Sequence, residues 1–219
     1  SESLLCFGSF LDPLLLMEHA DTIRSISQAT AKNYAQAIDC LSAAKSFLSD
    51  SRQIALSCLQ SEKLAAYARH FSCKHFPRKS RRGREEVRFL TSINAKGITS
   101  LAATSRRLCP DVYFICDREG AASSLFLSAL RSHALENGHD VIRCMCPLAP
   151  HSRIDHLLIP DCGLALLTEN PFHDFSSLVP DRRIHAKRFL EVEGMRSFKK
   201  RLAFNQKAAA LVSYTHLRA

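Results

Sequence analysis

Apolar positions change period repeatedly along this chain, and each change marks a different kind of element. Between Leu14 and Lys74 neither Gly nor Pro occurs. Tyr34, Ile38, Leu41, Ala44 and Leu48 recur at steps of three and four, the spacing of one face of an amphipathic helix. Ser49, Asp50 and Ser51 predict a break. Ile54, Cys58, Leu64, Ala68 and Phe71 then form the inward stripe of a second helix. Together these predict an α-hairpin over residues 1–73, its stripes pairing with each other or covering the rest of the domain.

Further on, the pattern shortens. Residues 87–92 alternate Val, Phe and Thr against Arg, Leu and Ser, which predicts a strand; 94–97 turn the chain and 98–108 predict a short helix. Residues 112–116 are apolar and uncharged, as in a strand buried on both faces. After a turn at 117–120, Ala122, Leu125, Phe126, Ala129 and Leu130 fall on one helical face up to about residue 135. Gly138 stands where a helix C-terminus wants glycine. Residues 141–146 predict the next strand, giving a β-α-β unit with a right-handed crossover. Residues 147–156 predict a loop, with short strands at 156–159 and 164–167. Beyond His173, Phe189, Val192, Met195, Phe198, Leu202 and Ala203 keep helical spacing despite Gly194, the start of a second helical insertion over 176–211. The expected fold is therefore α/β: a core at 87–175 with a parallel sheet and helices on both faces, behind the N-terminal α-hairpin.

Buried strand, tight turn and helix N-terminus is the geometry of a phosphate-binding loop, whose motif is G-x-x-x-x-G-K-[ST]. Here the eight residues are Asp117, Arg118, Glu119, Gly120, Ala121, Ala122, Ser123 and Ser124. Ser124 occupies the magnesium-binding hydroxyl position and Gly120 is an interior loop glycine. Asp117 and Ala122 replace the two required glycines, and Ser123 replaces the lysine. Asp117 and Glu119 also set negative charge against a polyanion, and Arg118 offsets it only in part. The helix dipole contributes about 1 kcal/mol, too little to replace the lysine. The strand at 164–167 lies where a Walker B strand would, but its terminal Asp is Thr168; Glu169 is one residue on and points elsewhere in a regular strand.

These pieces resemble an uncharacterised group of bacterial ATPase-like proteins built from two tandem P-loop halves. The resemblance is to the second half. It runs from Val87 to Gly97, through the degenerate loop, to Cys146–Pro150, Ile154–Pro160 and Gly163–His173, and more loosely to the helical stretch around Tyr34–Ala44. It implies a P-loop NTPase-like core, ATP and magnesium in the intact protein, and a first P-loop half as the partner of this one. This half is then expected to be a pseudo-NTPase, a structural or regulatory partner. A weak ATP-binding domain and a basic nucleic-acid module remain open beside that reading.

The 219 residues suffice for one α/β domain with a helical appendage. A net charge of +9 favours acidic partners. Residues 74–86 contain six Lys and Arg before Glu85 and Glu86, along with Pro77 and Gly83. They read as an exposed linker, or as a phosphate patch for nucleic acid. Nine cysteines at irregular spacing point to reduced thiols in a cytoplasmic protein. Cys144 and Cys146, with His151 and Cys162, suggest zinc, but the spacing fits no common pairing and two small core residues are the alternative. A thiol nucleophile with His151, His156 or His173 as base is not selected by any pattern. Asp155 and His156 before the strand read as capping or loop-orienting residues. The apolar stretch 4–17 is broken by Asp12 and Pro13 and is too short to span a membrane. Residues 212–219 resemble a recurrent translated adapter sequence and are set apart from the fold.

Overall fold

The computed structural model describes residues 7–94, 97–173 and 175–216. A 3₁₀ turn (Phe7–Phe10) leads into α1 (Pro13–Glu18), α2 (Ala20–Ser57) and α3 (Ser61–His75). Then come β1 (Glu85–Arg88), β2 (Thr91–Asn94), β3 (Gly97–Ser100), α4 (Ala102–Leu108), β4 (Asp111–Cys116), α5 (Ala121–Glu136) and β5 (Val141–Cys146). The order ends with β6 (Ala149–Ile159), β7 (Leu164–Glu169), β8 (Arg182–His185), α6 (Val192–Ser197) and α7 (Lys199–His216). The class is α/β, as the periodicity predicts. Residues 217–219 of the suspected foreign end lie outside the described residues, and 212–216 continue α7.

The main sheet has the order β1-β5-β6-β7-β4-β8. β1 is parallel to β5, and β4 is parallel to β7 and β8. β6 is antiparallel to both its neighbours, so the sheet is mixed and not wholly parallel as expected. The difference arises in residues 147–156. Only Pro147 and Leu148 turn the chain; from Ala149 it runs back along β5 as strand. β6 opens with Ala149 and Pro150 and continues with the polar His151, Ser152 and Arg153, all exposed or partly exposed, so it lacks the apolar run that marks a strand. Register shifts opposite Met145 and Cys146 absorb the irregularity. The predicted β-α-β unit is also wider than expected, because β6 and β7 lie between β5 and β4.

Alternation along the strands fills two cores. Tyr113, Ile115, Leu157, Ile159, Leu164 and Leu166 face Phe71 of α3 and Phe126 and Leu130 of α5. Val112, Phe114, Leu158, Ala165 and Leu167 face Ala102 of α4, Leu90 and Phe175. Each fully buried Leu or Phe contributes roughly 1.5–3 kcal/mol, so β4 and β7, buried on both faces, anchor the fold.

The helical region departs from its pattern in one respect. α2 is continuous through Ser49, Asp50 and Ser51. These residues favour a break when their side chains bond the local backbone. Here α7 engages them instead: Arg201 Nε donates to Asp50 at 2.8 Å, and Asn205 Nδ2 donates to Asp50 at 2.6 Å and to Ser51 Oγ at 3.1 Å. Phe47 and Phe204 meet edge to face at 5.9 Å. α2 is thus partnered by α7, while α3 lays Leu64, Ala68 and Phe71 over α5 and the sheet, the second of the two arrangements expected of the helical stripes.

The predicted strand over 87–92 is split at Leu90, which turns inward between β1 and β2 and is buried. The predicted helix over 98–108 begins only at Ala102. Its first residues form β3, and the β-branched Ile98 and Thr99 pair with β2, where Ser92 and Thr99 hydroxyls bond at 2.8 Å. Residues 182–185, placed in a helical insertion by the sequence pattern, form the edge strand β8.

The basic segment is stapled down at the C-terminal end of α5. Lys79 pairs with Asp161 at 2.8 Å, and Arg81 pairs with Asp140 at 2.8 Å and Asp161 at 2.7 Å. The Lys79 and Gly83 N–H groups donate to the Asn137 and Leu135 carbonyls. Gly138 has φ of 84°, and a Cβ there would meet the Arg81 carbonyl oxygen at 2.3 Å. Lys79 and Arg81 are therefore held in ion pairs with Asp140 and Asp161. No helix among the described residues is long and apolar enough to cross a membrane.

Candidate functional site

The ends of the parallel strands bring the polar residues together. Cys116 closes β4 opposite Glu169 of β7 and His185 of β8. The turn from Asp117 to Gly120 then enters α5, with Gly120 at φ 68°, left-handed backbone that glycine adopts without strain. Asp117 is buried, and its Oδ2 accepts the Ser123 N–H at 2.7 Å. A carboxylate from the loop thus caps the first turn of α5. Ala121, Ala122, Ser123 and Ser124 are buried, whereas Arg118 is exposed and Glu119 half-buried. Burial, with the Asp117 charge beside it, pushes the Glu119 carboxyl above its ordinary range. Replacing Asp117 with Ala is expected to destabilise the fold by about 1 kcal/mol, read as a lower urea midpoint, while Asp117→Asn keeps most of the cap.

Thr168 lies beside Ile115 in the β4–β7 register and is buried, its Oγ1 without a partner among the described residues. Glu169 follows at the end of β7, beside Cys116 in the register, and lines the cavity over the loop. It accepts from Cys116 Sγ at 3.0 Å and from Arg183. Burial raises its carboxyl, but the bonds from Arg183 and Cys116 prevail and hold it below the usual range.

Beneath the loop lies a second group that the sequence hints at only in Asp155, His156 and His173. Asp155 Oδ1 lies 3.1 Å from Arg153 Nε, and Oδ2 lies 3.3 Å from His173 Nε2. Burial pushes this carboxyl up, yet the His173 hydrogen bond and the Arg153 charge override it and keep it well below the carboxylate range. His173 Nδ1 is 3.0 Å from the Thr168 carbonyl oxygen. His156 Nδ1 accepts the Thr168 N–H at 3.2 Å, and its Nε2 has no partner among the described residues. Arg153 also donates to Cys146 Sγ, and Arg52, reaching in from α2, donates to the Gly120 carbonyl at 3.3 Å. A cavity of about 50 Å³ between Arg153, Asp155, His173 and Glu119 has room for one or two waters.

The zinc set is dispersed. Cys144 and Cys146 lie on β5, His151 is exposed, and Cys162 sits at the opposite end of the sheet, 3.3 Å from His139 Nδ1. No group of three or more His, Cys, Asp or Glu among the described residues is placed to hold a metal ion. Burial pushes the Cys144 thiol up to about 12 and the Cys146 thiol up to about 11, so neither is a ready thiolate.

Over the loop, between the strand ends and α6 and α7, lies a cavity of about 760 Å³ lined by Arg118, Glu119, Glu169, Lys187, Lys199 and Leu202 among others. Sequence reasoning missed Arg52, Lys187 and Lys199 as site residues, because segments far apart in the chain meet there without a shared motif. No family model, no curated protein and no solved structure matches this chain.

Proposed function

We propose that the chain is a P-loop NTPase-like half whose phosphate site is closed by its own side chain and which serves as a structural partner of an ATP-binding half. The observation that carries this reading is the Asp117 carboxylate on the Ser123 N–H, at the helix N-terminus where a phosphate would be received. A bound phosphate would have to displace that carboxylate and then meet its charge and that of Glu119. Neither magnesium-facing position supplies what the ion needs: Ser124 is buried and Thr168 carries no carboxylate. The residues present therefore do not fit a magnesium nucleotide, and no hydrolytic step is assigned to them.

Support for the partner role comes from α1 and the first half of α2. Leu14, Leu15, Leu16 and Met17 of α1 are exposed, and so are Ile23, Ile26, Tyr34 and Ile38 of α2. Exposed apolar side chains at this density on two neighbouring helices suit a protein contact.

Calorimetric titration of Mg-ATP tests the reading. The native chain is expected to give no binding heat. Asp117→Gly combined with Ala122→Gly and Ser123→Lys restores the motif and is expected to gain affinity. Micromolar, magnesium-dependent binding by the native chain would overturn the proposal.

A further inference from the structure

We propose that the 760 Å³ cavity at the carboxyl ends of β4, β7 and β8 binds a small amphiphilic anion, a single carboxylate or phosphate-ester head on an apolar body. Its position is the first reason. α5 leaves β4 toward β5, whereas the connection after β7 carries the chain to β8 on the other side of β4. Ligands of open α/β sheets bind in the crevice where connections diverge in this way. The volume lies within the range of about 300–1,000 Å³ typical of small-molecule sites.

Charge selects the head group. Arg118 comes from the loop, Lys187 from the turn after β8, and Lys199 from the first turn of α7. None of the three forms an ion pair among the described residues. The acidic groups nearby are largely engaged: Glu169 pairs with Arg183, and Asp117 caps α5. Arg196, also at the rim, is held by Glu193 at 3.0 Å. Cations thus converge from three segments around Glu119, which lies within the field of Arg118 and Lys187, while Asp117 and Glu119 on the sheet side disfavour a polyphosphate. Leu190, Met195 and Leu202 supply an apolar wall for the body.

This inference does not rest on the closed loop, and its test excludes magnesium and nucleotide. The probe is 8-anilinonaphthalene-1-sulfonate, an aromatic anion whose fluorescence rises on burial, titrated into the full chain. One saturable site is expected. Lys187→Ala with Lys199→Ala, both on the surface, is expected to weaken it at least tenfold. Ala203→Phe on α7, which fills the cavity, is expected to abolish it. Ile23→Ser with Ile26→Ser on α2 is expected to leave it unchanged, separating the cavity from the exposed apolar helix. Displacement of the probe by octanoate or by octyl phosphate supports the proposal and tells which head is preferred. No saturable binding, displacement by neither competitor, indifference to the lysine pair, or loss in the α2 variant would overturn it.

Discussion

Arg153→Met is expected to lower the stability of the fold by about 3 kcal/mol. Arg153 and Asp155 are both mostly withdrawn from solvent, with 18% and 6% of their side chains exposed, and they meet at 3.1 Å. A buried pair of this kind adds little over well-packed apolar residues, but removal of one member leaves the other charged and uncompensated. In the variant Asp155 keeps only the His173 contact at 3.3 Å, which places the loss toward the lower end of what broken buried pairs show. At a urea dependence of about 2 kcal/mol per molar, the unfolding midpoint should fall by about 1.5 M. Adding Asp155→Asn should recover at least half of that loss, because the stranded charge is then gone. Equal midpoints for the native chain and Arg153→Met would show that the pair is effectively solvated, and the buried polar group under the loop would have to be redrawn.

What was legible in the sequence was legible for physical reasons. The uncharged run at 112–116 predicts a strand covered on both faces, and Val112, Tyr113, Phe114 and Ile115 are buried in the two cores. The change to helical spacing after Gly120 locates α5 within a residue. β6 was hidden because its first half, Ala149 and Pro150 followed by His151, Ser152 and Arg153, is partly exposed and leaves no apolar alternation to read. The continuity of α2 was hidden because Asp50 and Ser51 are answered by Arg201 and Asn205, some 150 residues away. At the site, the loss of lysine and glycine from the loop could be read directly. That Asp117 would fill the helix terminus could not, since it depends on the turn closing over Ser123. The cations of the larger cavity come from three separate segments, and no spacing rule connects them.

Acidification offers the other large effect, and His156 is its source. The ring is fully buried, against His173 at 5.0 Å and Phe175 at 5.4 Å. Burial first, and the neighbouring His173 second, push its pKa down to about 3 from 6.5. In the unfolded chain the ring takes a proton near pH 6.5, whereas in the fold it resists one until about pH 3. Between those values the unfolded state binds the extra proton, so stability must fall as the pH falls. From pH 7 to pH 4.5 the loss from this one group is roughly 2.5 kcal/mol. His75, held down by burial and by Lys74, adds a loss of the same sign. Asp155 acts lower: its depressed carboxyl gives stability above about pH 4 that is lost only as the pH falls further. Urea unfolding at pH 7 and pH 4.5 isolates the histidine. His156→Gln keeps an oxygen to accept the Thr168 N–H but cannot titrate, so its stability should fall far less over the same interval. If the native chain and the variant lost stability in parallel, His156 would not be the group that titrates, and a neutral ring on the interior strand β6 would lose its support.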